Sequence, residues 1–364
     1  MASILEEYAR DLALYEDLSR MVDALLNTLL TQTQLKVHQV TSRVKSRNSL
    51  ERKLGEKPQK YQHLTDVTDI CALRVILYFE DDVDRVAEVI EREFHVDREN
   101  TVDKRKRDGD QFGYQSLQYV VSHHELRESL TEYKPTAGIR FEVQIRSILQ
   151  HAWAEIEHGL GYHGSSPLPG NLRRRFARIA ALLEVADSEF VDLRKQITRT
   201  KETIKGDLRG EHGGPTDLGV DRLTLEMYVR QSDLPQEVDR EVAAAAKSRI
   251  EGTLLADLDI IARGLLVLDL NTIAAVEQAL SDNRQHVVSF AKAFLSSPAS
   301  VARGTTTLPS GVSLGYLSYY LIAKLAESAE RKKAVERMFE SIDPALLNRD
   351  LILQEFEQAL HTMG

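Results

Sequence analysis

The spacing of apolar residues divides the chain into a first half of mixed structure and a helical second half. From Ile4 to about Lys45 there is neither Gly nor Pro, and apolar positions between Leu12 and Leu30 recur at helical intervals. This pattern predicts one or two amphipathic helices. The nearly continuous apolar run Ile70–Phe79 predicts a buried strand, and the acidic residues after it favour a helix from Val83 to Phe94.

Two further strands and two helices are predicted before residue 205. Leu117–Ser122 and Ile139–Ile145 have strand patterns, whereas Ser147–His158 and Leu172–Thr200 have helical ones. The second strand alternates, so its polar and apolar side chains should face opposite sides of a sheet. The polar set is Glu142, Gln144 and Arg146, and the apolar set is Phe141, Val143 and Ile145.

Glycines between Gly206 and Pro215 mark a linker, which we place at residues 206–218. We therefore predict a first domain at 1–205 and a second at 219–364. The periodic segments of the second domain are all helical: Val238–Ile250, Leu254–Leu266, Ile273–Leu280, Val287–Leu295, Leu314–Leu325, Ala334–Phe339 and Leu351–Leu360. The predicted fold class is α+β for the first domain and all-α for the second.

Composition and charge narrow the class of protein. The 47 Lys and Arg residues against 56 Asp and Glu give a net charge of −9, so any contact with nucleic acid must be a local basic patch. The single cysteine, Cys71, excludes an internal disulfide and a Cys-rich zinc site. No apolar run approaches the roughly 18–20 residues that span a bilayer, and the N-terminus lacks the order of a secretory signal. We expect a cytoplasmic protein.

Two charged clusters in the first half suit a polyphosphate and a metal ion. Cations and hydroxyl groups crowd the segment Arg43–Lys53, although a solvated helix end would have a similar composition. Asp69 precedes the first predicted strand and Arg74 lies within it. Because strict alternation would place these two residues on opposite faces, either the strand begins after Asp69 or it contains a bulge. An ordinary turn residue is the alternative interpretation of Asp69.

Two more clusters accompany the later strands. Gly113-Tyr114 follows the basic loop Lys104–Arg107, where glycine allows close backbone approach and the tyrosine could stack on a base. A turn that leads into a strand explains this pair nearly as well. His151, Glu155 and His158 share one face of the predicted helix, which is compatible with zinc, although the HExxH order is absent and a satisfied helix face is commoner.

In this order and spacing, the four clusters resemble the RelA/SpoT-type alarmone synthetases over about residues 38 to 200. The strongest match is Glu142-Val143-Gln144-Ile145-Arg146-Ser147, followed by His151 and Glu155, beside the family's EVQIR(T/S) signature. Gly113-Tyr114-Gln115-Ser116-Leu117 and Asp69-Ile70-x-x-x-Arg74 match next best. The segment from Arg43 to Lys53 matches the family's ATP-binding segment.

The resemblance implies an activity, a fold and residue roles. The family moves the pyrophosphate of ATP onto the 3′-hydroxyl of GDP or GTP, on a nucleotidyltransferase-like mixed sheet flanked by helices. Asp69 and Glu142 would bind Mg²⁺, Glu142 would also help to deprotonate the acceptor, and Arg74 would lie nearby as a third catalytic residue. The residues expected to hold the ATP phosphates are Arg43, Lys45, Ser49 and Lys53. Those expected to bind the acceptor are Tyr114, Gln144, Lys104, Arg105, Lys106 and His151.

Two residues depart from the family pattern, and the second of them leaves the acceptor open. Ala72 stands where the family usually has Gly, and Gln118 stands where it usually has His. A toxic branch of the superfamily places pyrophosphate on the 3′ end of tRNA, and Gln118 with the basic run Lys104–Arg107 favours that alternative. The C-terminal domain would then act as an antitoxin or a phage sensor.

The sequence also bears on hydrolase activity, on a non-catalytic role and on the expected partners. No histidine is followed by Asp, so the family's hydrolase activity is not expected. A non-catalytic nucleotide-binding regulator is the third hypothesis, and the presence of both Asp69 and Glu142 argues against it. The expected partners are ATP with GDP or GTP, or a tRNA 3′ end, and no membrane. A second copy of the chain, or a regulatory protein bound by the C-terminal domain, would be a further partner.

Overall fold

The computed structural model describes residues 2–56, 59–103, 116–160, 169–211, 218–297 and 306–363. The chain divides into two units, Met1–Lys195 and Gln196–Gly364. This division falls within a long helix that ends at Leu208, and residues 212–217 of the predicted linker lie outside the described part. The predicted domain boundaries at 205 and 219 therefore stay predictions.

The first unit contains a mixed sheet, to which six strands contribute among the described residues. The strands are β1 (Val37–Val44), β2 (Cys71–Leu77), β3 (Phe94–Val96), β4 (Val102–Asp103), β5 (Leu117–His123) and β6 (Phe141–Ser147). The helices are α1 (Ala2–Gln32), α2 (Arg47–Glu56), α3 (Asp82–Glu93), α4 (Glu125–Glu128), α5 (Ile148–Gly159) and α6 (Gly170–Leu208). The strand order is β1-β2-β6-β5-β3, with β4 beside β5. Only the β2–β6 pair is parallel among these pairings.

The sheet separates an apolar face from a polar face, because side chains alternate along each strand. The residues of its central strands that join the buried core with α1 and α3 are Cys71, Leu73, Val75, Leu77, Leu117, Tyr119, Val121, Phe141, Val143 and Ile145. Helix α1 covers this face with Leu18, Val22 and Leu26, which are almost fully buried. The alternation predicted for Phe141–Ile145 is thus confirmed, and its polar partners share the opposite face.

The helix predicted from Ile4 to about Lys45 is correct only as far as Gln32. Gln34 has a left-handed backbone with φ of 58°, and the chain then enters strand β1. β1 contains Val37, Val40 and Val44, whose branched side chains favour an extended backbone. Its antiparallel hydrogen bonds with β2 outweigh any local helical preference.

The other elements predicted in the first half are confirmed within a few residues. β2 begins at Cys71, so the first of the two alternatives holds and Asp69 lies in the turn that precedes the strand. Helix α6 is longer than the predicted Leu172–Thr200, and near its end Ile204 is buried.

The second unit is predominantly helical, as predicted. Its helices are the end of α6, then α7 (Arg222–Gln231), α8 (Asp233–Ala245), α9 (Leu258–Val267), α10 (Ile273–Asp282), α11 (Arg284–Leu295), α12 (Val312–Ala323), α13 (Ser328–Met338) and α14 (Arg349–Met363). Helix α7 was not predicted. The structure also adds a short parallel pair, β7 (Arg249–Leu254) and β8 (Thr307–Ser310), to the predicted all-α fold.

Strand β7 replaces the end of the helix predicted at Val238–Ile250. Helix α8 ends at Ala245, and Lys247 adopts a left-handed backbone with φ of 54° that turns the chain. The core of this unit includes Tyr228, Phe290 and Phe356, which are almost fully buried. Among the described residues, no helix is both long and apolar enough to cross a membrane.

Candidate active site

Strand pairing brings the predicted catalytic residues together on the polar face of the sheet. In the parallel β2–β6 pair, Ala72 lies opposite Glu142 and Arg74 lies opposite Gln144. In the antiparallel β1–β2 pair, Arg43 lies opposite Ala72. Because all of these positions have the same parity, Arg43, Arg74, Glu142 and Gln144 share one face across three adjacent strands.

Asp69 is held by two lysines from the predicted ATP-binding segment. Lys45 Nζ lies 3.0 Å from Asp69 Oδ2, and Lys53 Nζ lies 2.8 Å from Asp69 Oδ1. The backbone N–H of Lys45 also donates to the carbonyl of Ile70, which fixes the end of β1 beside this turn. Burial alone would raise the pKa of Asp69, but the two ammonium groups bring it below its ordinary value. Asp69 is therefore an ionised carboxylate at neutral pH.

Helix α2 presents two of the predicted phosphate ligands from one face. Ser49 and Lys53 are four residues apart on this helix, so their side chains project from the same side. The helix starts after Ser46, whose Oγ accepts the backbone N–H of Ser49 at 3.4 Å and donates to Ser49 Oγ at 3.0 Å. Lys45, directly after β1, and Lys53 of α2 thus meet at Asp69, while Arg43 is exposed on the edge strand β1.

A chain of hydrogen bonds runs along β6 from a buried arginine to Glu142. Arg146 donates to Gln144 Oε1 at 2.7 Å, and Gln144 Nε2 donates to Glu142 Oε1 at 2.5 Å. Arg146 is only 6% exposed, and burial lowers the pKa of its guanidinium to about 10. Arg146 is not among the site residues predicted from the sequence, although its alternation with Glu142 and Gln144 is a signal for such a role. The amide of Gln144 faces Glu142 here, whereas the resemblance implied contact with the acceptor.

Arg74 links β2 to helix α5. Its guanidinium donates to Glu155 Oε1 at 2.8 Å, and His151 Nδ1 lies 3.8 Å from the same oxygen. Burial, followed by the charge of Arg74, lowers the pKa of His151, so this imidazole is neutral at physiological pH. Glu155 is thus engaged by an arginine, and within the described ranges no group of three or more His, Cys, Asp or Glu is suited to a metal. The zinc interpretation of His151, Glu155 and His158 therefore has no structural support.

A small cleft of about 70 Å³ opens between the side chains of β1, β2 and β6. Arg43, Arg74 and Gln144 line it together with Thr41 and Ala72. Three predicted site residues therefore border one space. The methyl group of Ala72, which is one of the two departures from the family pattern, forms part of its wall.

Four of the predicted acceptor-binding residues lie outside the described residues: Lys104, Arg105, Lys106 and Tyr114. Their roles stay predictions. Gln118, the other departure, is described and lies opposite Gln144 in the β5–β6 pair. Gln118 therefore adds a residue of β5 to the polar face of the sheet that carries Glu142 and Gln144.

The two acids fit a magnesium site by their chemistry. Mg²⁺ takes oxygen ligands and is usually bound by one or two carboxylates together with substrate phosphates. Burial lowers the pKa of Lys53, but the hydrogen bond and the charge of Asp69, followed by the charges of Tyr61 and Glu142, outweigh that effect and raise it. The negative charges of Asp69 and Glu142 therefore both favour the protonated form of Lys53. Asp69 and Glu142 are the described residues that would hold the ion.

The part of the chain that carries this site is similar to known proteins. Residues 42–166 match the model of the family described as "Region found in RelA / SpoT proteins". This region of the first unit is therefore similar to a RelA/SpoT domain. All of the described site residues, from Arg43 to Glu155, lie within the RelA/SpoT match.

Relatives of the RelA/SpoT domain include two curated enzymes from Bacillus subtilis (strain 168). GTP pyrophosphokinase YjbM is 26% identical over 174 residues, which is 47% of this chain and 78% of YjbM. GTP pyrophosphokinase YwaC is 23% identical over 209 residues, which is 54% of this chain and 95% of YwaC. The crystal structure of small alarmone synthetase 1 from B. subtilis is 24% identical, with a TM-score of 0.45, and covers 53% of this chain and 99% of that protein. The predicted class of enzyme, a pyrophosphokinase, agrees with the names of both curated relatives.

Proposed function

We propose that this chain transfers the pyrophosphate of ATP to the 3′-hydroxyl of GDP or GTP, which makes (p)ppGpp. The observation that carries the proposal is the meeting of Lys45 and Lys53 at Asp69, beside a strand that presents Glu142. Cations and carboxylates at one place are what transfer between two polyphosphates needs, because catalysis of that step is mostly positioning and charge stabilisation.

The lysines bind the donor in this proposal. Lys45 and Lys53 contact the phosphates of ATP, Ser49 contributes a hydroxyl from the face of α2 that carries Lys53, and Arg43 adds a charge from the edge strand. A Mg²⁺ ion held by Asp69 and Glu142 would supply further positive charge to the phosphate oxygens. Since Asp69 already engages both lysines, the carboxylate also keeps their ammonium groups together near the place where the phosphates bind.

Glu142 receives the acceptor proton in this proposal. The 3′-oxygen attacks the β-phosphorus of ATP, the bond from that phosphorus to the oxygen bridging it to the α-phosphate breaks, and AMP leaves. The acceptor proton passes to Glu142, which acts as the general base. Gln144 and Arg146 fix the carboxylate of Glu142 through their hydrogen bonds.

A tRNA 3′ end is the alternative acceptor. Gln118 favours it, because an amide next to Gln144 replaces the imidazole that the family usually has at this place. The electrostatic contribution of the run Lys104–Arg107 would make tRNA binding strongly dependent on salt, whereas free GTP needs fewer contacts. Hydrolysis of the alarmone is not expected of either version.

Transfer from ATP labelled in its γ-phosphate tests the proposal. We expect labelled (p)ppGpp with GDP or GTP as the acceptor and none with deacylated tRNA; label on tRNA would establish the alternative, and no transfer to any acceptor would leave a nucleotide-binding regulator. Glu142→Gln and Asp69→Asn should each abolish transfer and leave the protein folded. Glu88→Gln, which changes an exposed acid on α3, is the matched control.

The second unit has a regulatory or interaction role in this proposal. The described candidate site residues all lie between Arg43 and Glu155, inside the unit Met1–Lys195. We therefore expect a fragment of residues 1–205 to keep transfer activity. Higher turnover than that of the full chain would indicate autoinhibition, whereas loss of turnover would contradict a regulatory role and indicate a structural one. Self-association and binding of a regulatory protein stay predictions.

A further inference from the structure

The second unit contains a cavity of about 750 Å³ between helix α8, strand β7 and the end of helix α7. Its size falls within the range of small-molecule sites, which are about 300–1,000 Å³. It is formed by residues of the second unit only and is separate from the RelA/SpoT match at 42–166.

Three arginines from three different elements line this cavity. Arg230 belongs to the last turn of α7, Arg240 to α8 and Arg249 to β7. Arg230 is paired with Glu226 at 3.2 Å. Within the described ranges, neither Arg240 nor Arg249 forms an ion pair. These two arginines therefore add positive charge to the cavity in a chain whose net charge is −9.

Among the described residues of the wall, the only acid is Asp239, and it does not neutralise these arginines. Asp239 is buried, and its two oxygens accept the backbone N–H groups of Gly311 at 2.6 Å and Ser313 at 2.8 Å. The carboxylate therefore fixes the start of α12 against α8. Asp239 therefore leaves the charges of Arg240 and Arg249 uncompensated.

The rest of the wall suits a ligand that is only partly charged. Val229, Ala243, Ile250 and Leu254 provide apolar surface. The regular pairing of β7 with β8 is interrupted between Glu251 and Leu254. The backbone of Gly252, which lines the cavity, therefore lies in this irregular part of the strand. A side chain added at Gly252 would meet nothing within 4 Å, which shows that open space borders this backbone.

We propose that this cavity binds a nucleoside polyphosphate, whose phosphates contact Arg240, Arg249 and Arg230 and whose nucleoside lies against the apolar wall. Arginine matches phosphate oxygens by paired hydrogen bonds as well as by charge. The concave, partly apolar surface favours a small molecule over a nucleic acid, which would need an extended basic face. The proposal does not depend on pyrophosphate transfer by the first unit.

Hydrogen exchange of the full chain localises the ligand without reference to turnover. With GTP or ATP we expect slower exchange in β7 and in the part of α8 around Arg240. In the Arg240→Glu/Arg249→Glu double variant, this protection should require about 10-fold more nucleotide or vanish, since two attractive charges become repulsive. Lys333→Glu, which reverses an exposed charge on α13 away from the cavity, should leave the protection unchanged.

Three outcomes would overturn the proposal. The first is the lack of protection in β7 with both nucleotides, and the second is equal protection in the double variant. The third is equal protection by inorganic pyrophosphate at the same concentration, which would mean that the site binds phosphate and ignores the nucleoside. Both arginines are exposed, and an unchanged thermal transition of the double variant would show that it is folded.

Discussion

Lys53 Nζ lies 2.8 Å from Asp69 Oδ1, which joins the proposed phosphate ligand on α2 to the proposed metal ligand in the turn before β2. The lysine side chain is 29% exposed and the aspartate 18% exposed, so water screens this pair only in part. The pair connects two segments of the chain that are sixteen positions apart. In the proposed function, this pair couples the binding of ATP phosphates to the charge state of Asp69.

Replacement of Lys53 by Met should weaken ATP binding and change the pH dependence of transfer. We expect the KM for ATP to rise about 10-fold, because one charge-assisted contact with phosphate is lost. The pKa of Asp69 is lowered by Lys53 against the opposing effect of burial, so it should rise in the variant. The acid limb of kcat/KM should then move to higher pH. Pyrophosphate transfer measured against pH and ATP concentration checks both expectations.

The same pair makes a contribution to stability with a defined sign. Because the pKa of Asp69 in the folded protein is below its ordinary value of 3.8, the stabilisation by the ion pair is present above that pH and is lost as the pH falls through the lowered value.

The control for Lys53→Met is Arg52→Met, on the exposed side of α2, which should change neither the KM for ATP nor the pH profile of transfer. An acid limb that stays in place in Lys53→Met would contradict the coupling.

Replacement of Arg146 by Met should slow transfer without weakening ATP binding. Arg146 fixes the amide of Gln144, which in turn donates to Glu142. Without it, Gln144 can rotate and Glu142 loses an aligned donor, so we expect kcat to fall about 10-fold. This is less than the roughly 100- to 10,000-fold loss expected when a general base itself is removed. The KM for ATP should stay near normal, since the lysines are untouched. Steady-state kinetics distinguishes the two parameters, and a normal kcat would exclude a positioning role.

Replacement of Ser147 by Ala should affect stability rather than chemistry. Ser147 caps helix α5: its Oγ accepts the N–H of Gln150 at 3.1 Å, and it also donates to the buried Asp187 of α6. We expect Ser147→Ala to lower the free energy of unfolding by about 1–3 kcal/mol. Urea denaturation measures this loss.

The variant Ser147→Thr provides the comparison, because it keeps the hydroxyl that caps the helix and reaches Asp187. It should be closer to the wild-type protein than Ser147→Ala is. If the two variants lose the same free energy of unfolding, packing around this residue matters more than its hydrogen bonds. This serine is the last residue of the EVQIR(T/S) match, so its part in the signature would be structural.

The sequence predicted the strands that carry Glu142 and Arg74 because their patterns are local. β6 alternates and β2 is almost wholly apolar, and each pattern is decided by burial of the strand itself. β1 was included in a helical prediction because the stretch from Ile4 to about Lys45 contains neither Gly nor Pro. Its pairing with β2 is a contact between distant segments. Such pairing cannot be read from a window of neighbouring residues.

The contacts within the candidate site were less predictable than the residues in it. The resemblance pointed to Asp69 and Lys53 separately, but their ion pair depends on how α2 packs beside the turn before β2. The bond from Arg74 to Glu155 likewise depends on where α5 lies relative to the sheet. Arg146 had the required polar pattern, yet only its burial reveals that it supports Gln144.

His123 is a buried imidazole that should make the first unit sensitive to acid. It is 1% exposed, and neither of its ring nitrogens has a hydrogen-bond partner among the described residues. The rings of Phe94, Tyr133 and Phe141 surround it, with centroids 4.9–6.4 Å away. This burial lowers the pKa of His123 from 6.5 to about 4.

The shift makes protonation of His123 oppose folding. Between about pH 6.5 and pH 4 the unfolded chain binds this proton and the folded chain does not, so the free energy of unfolding should fall as the pH falls through that window, by at most about 3 kcal/mol. His123→Phe fills the same aromatic pocket without a titratable group and should remove that part of the slope. His95→Gln, at an exposed position of β3, should retain it. Urea denaturation of the three proteins between about pH 4 and pH 6.5 measures this dependence of the free energy of unfolding on pH. If the wild-type protein and His123→Phe show the same dependence, another group accounts for the acid sensitivity.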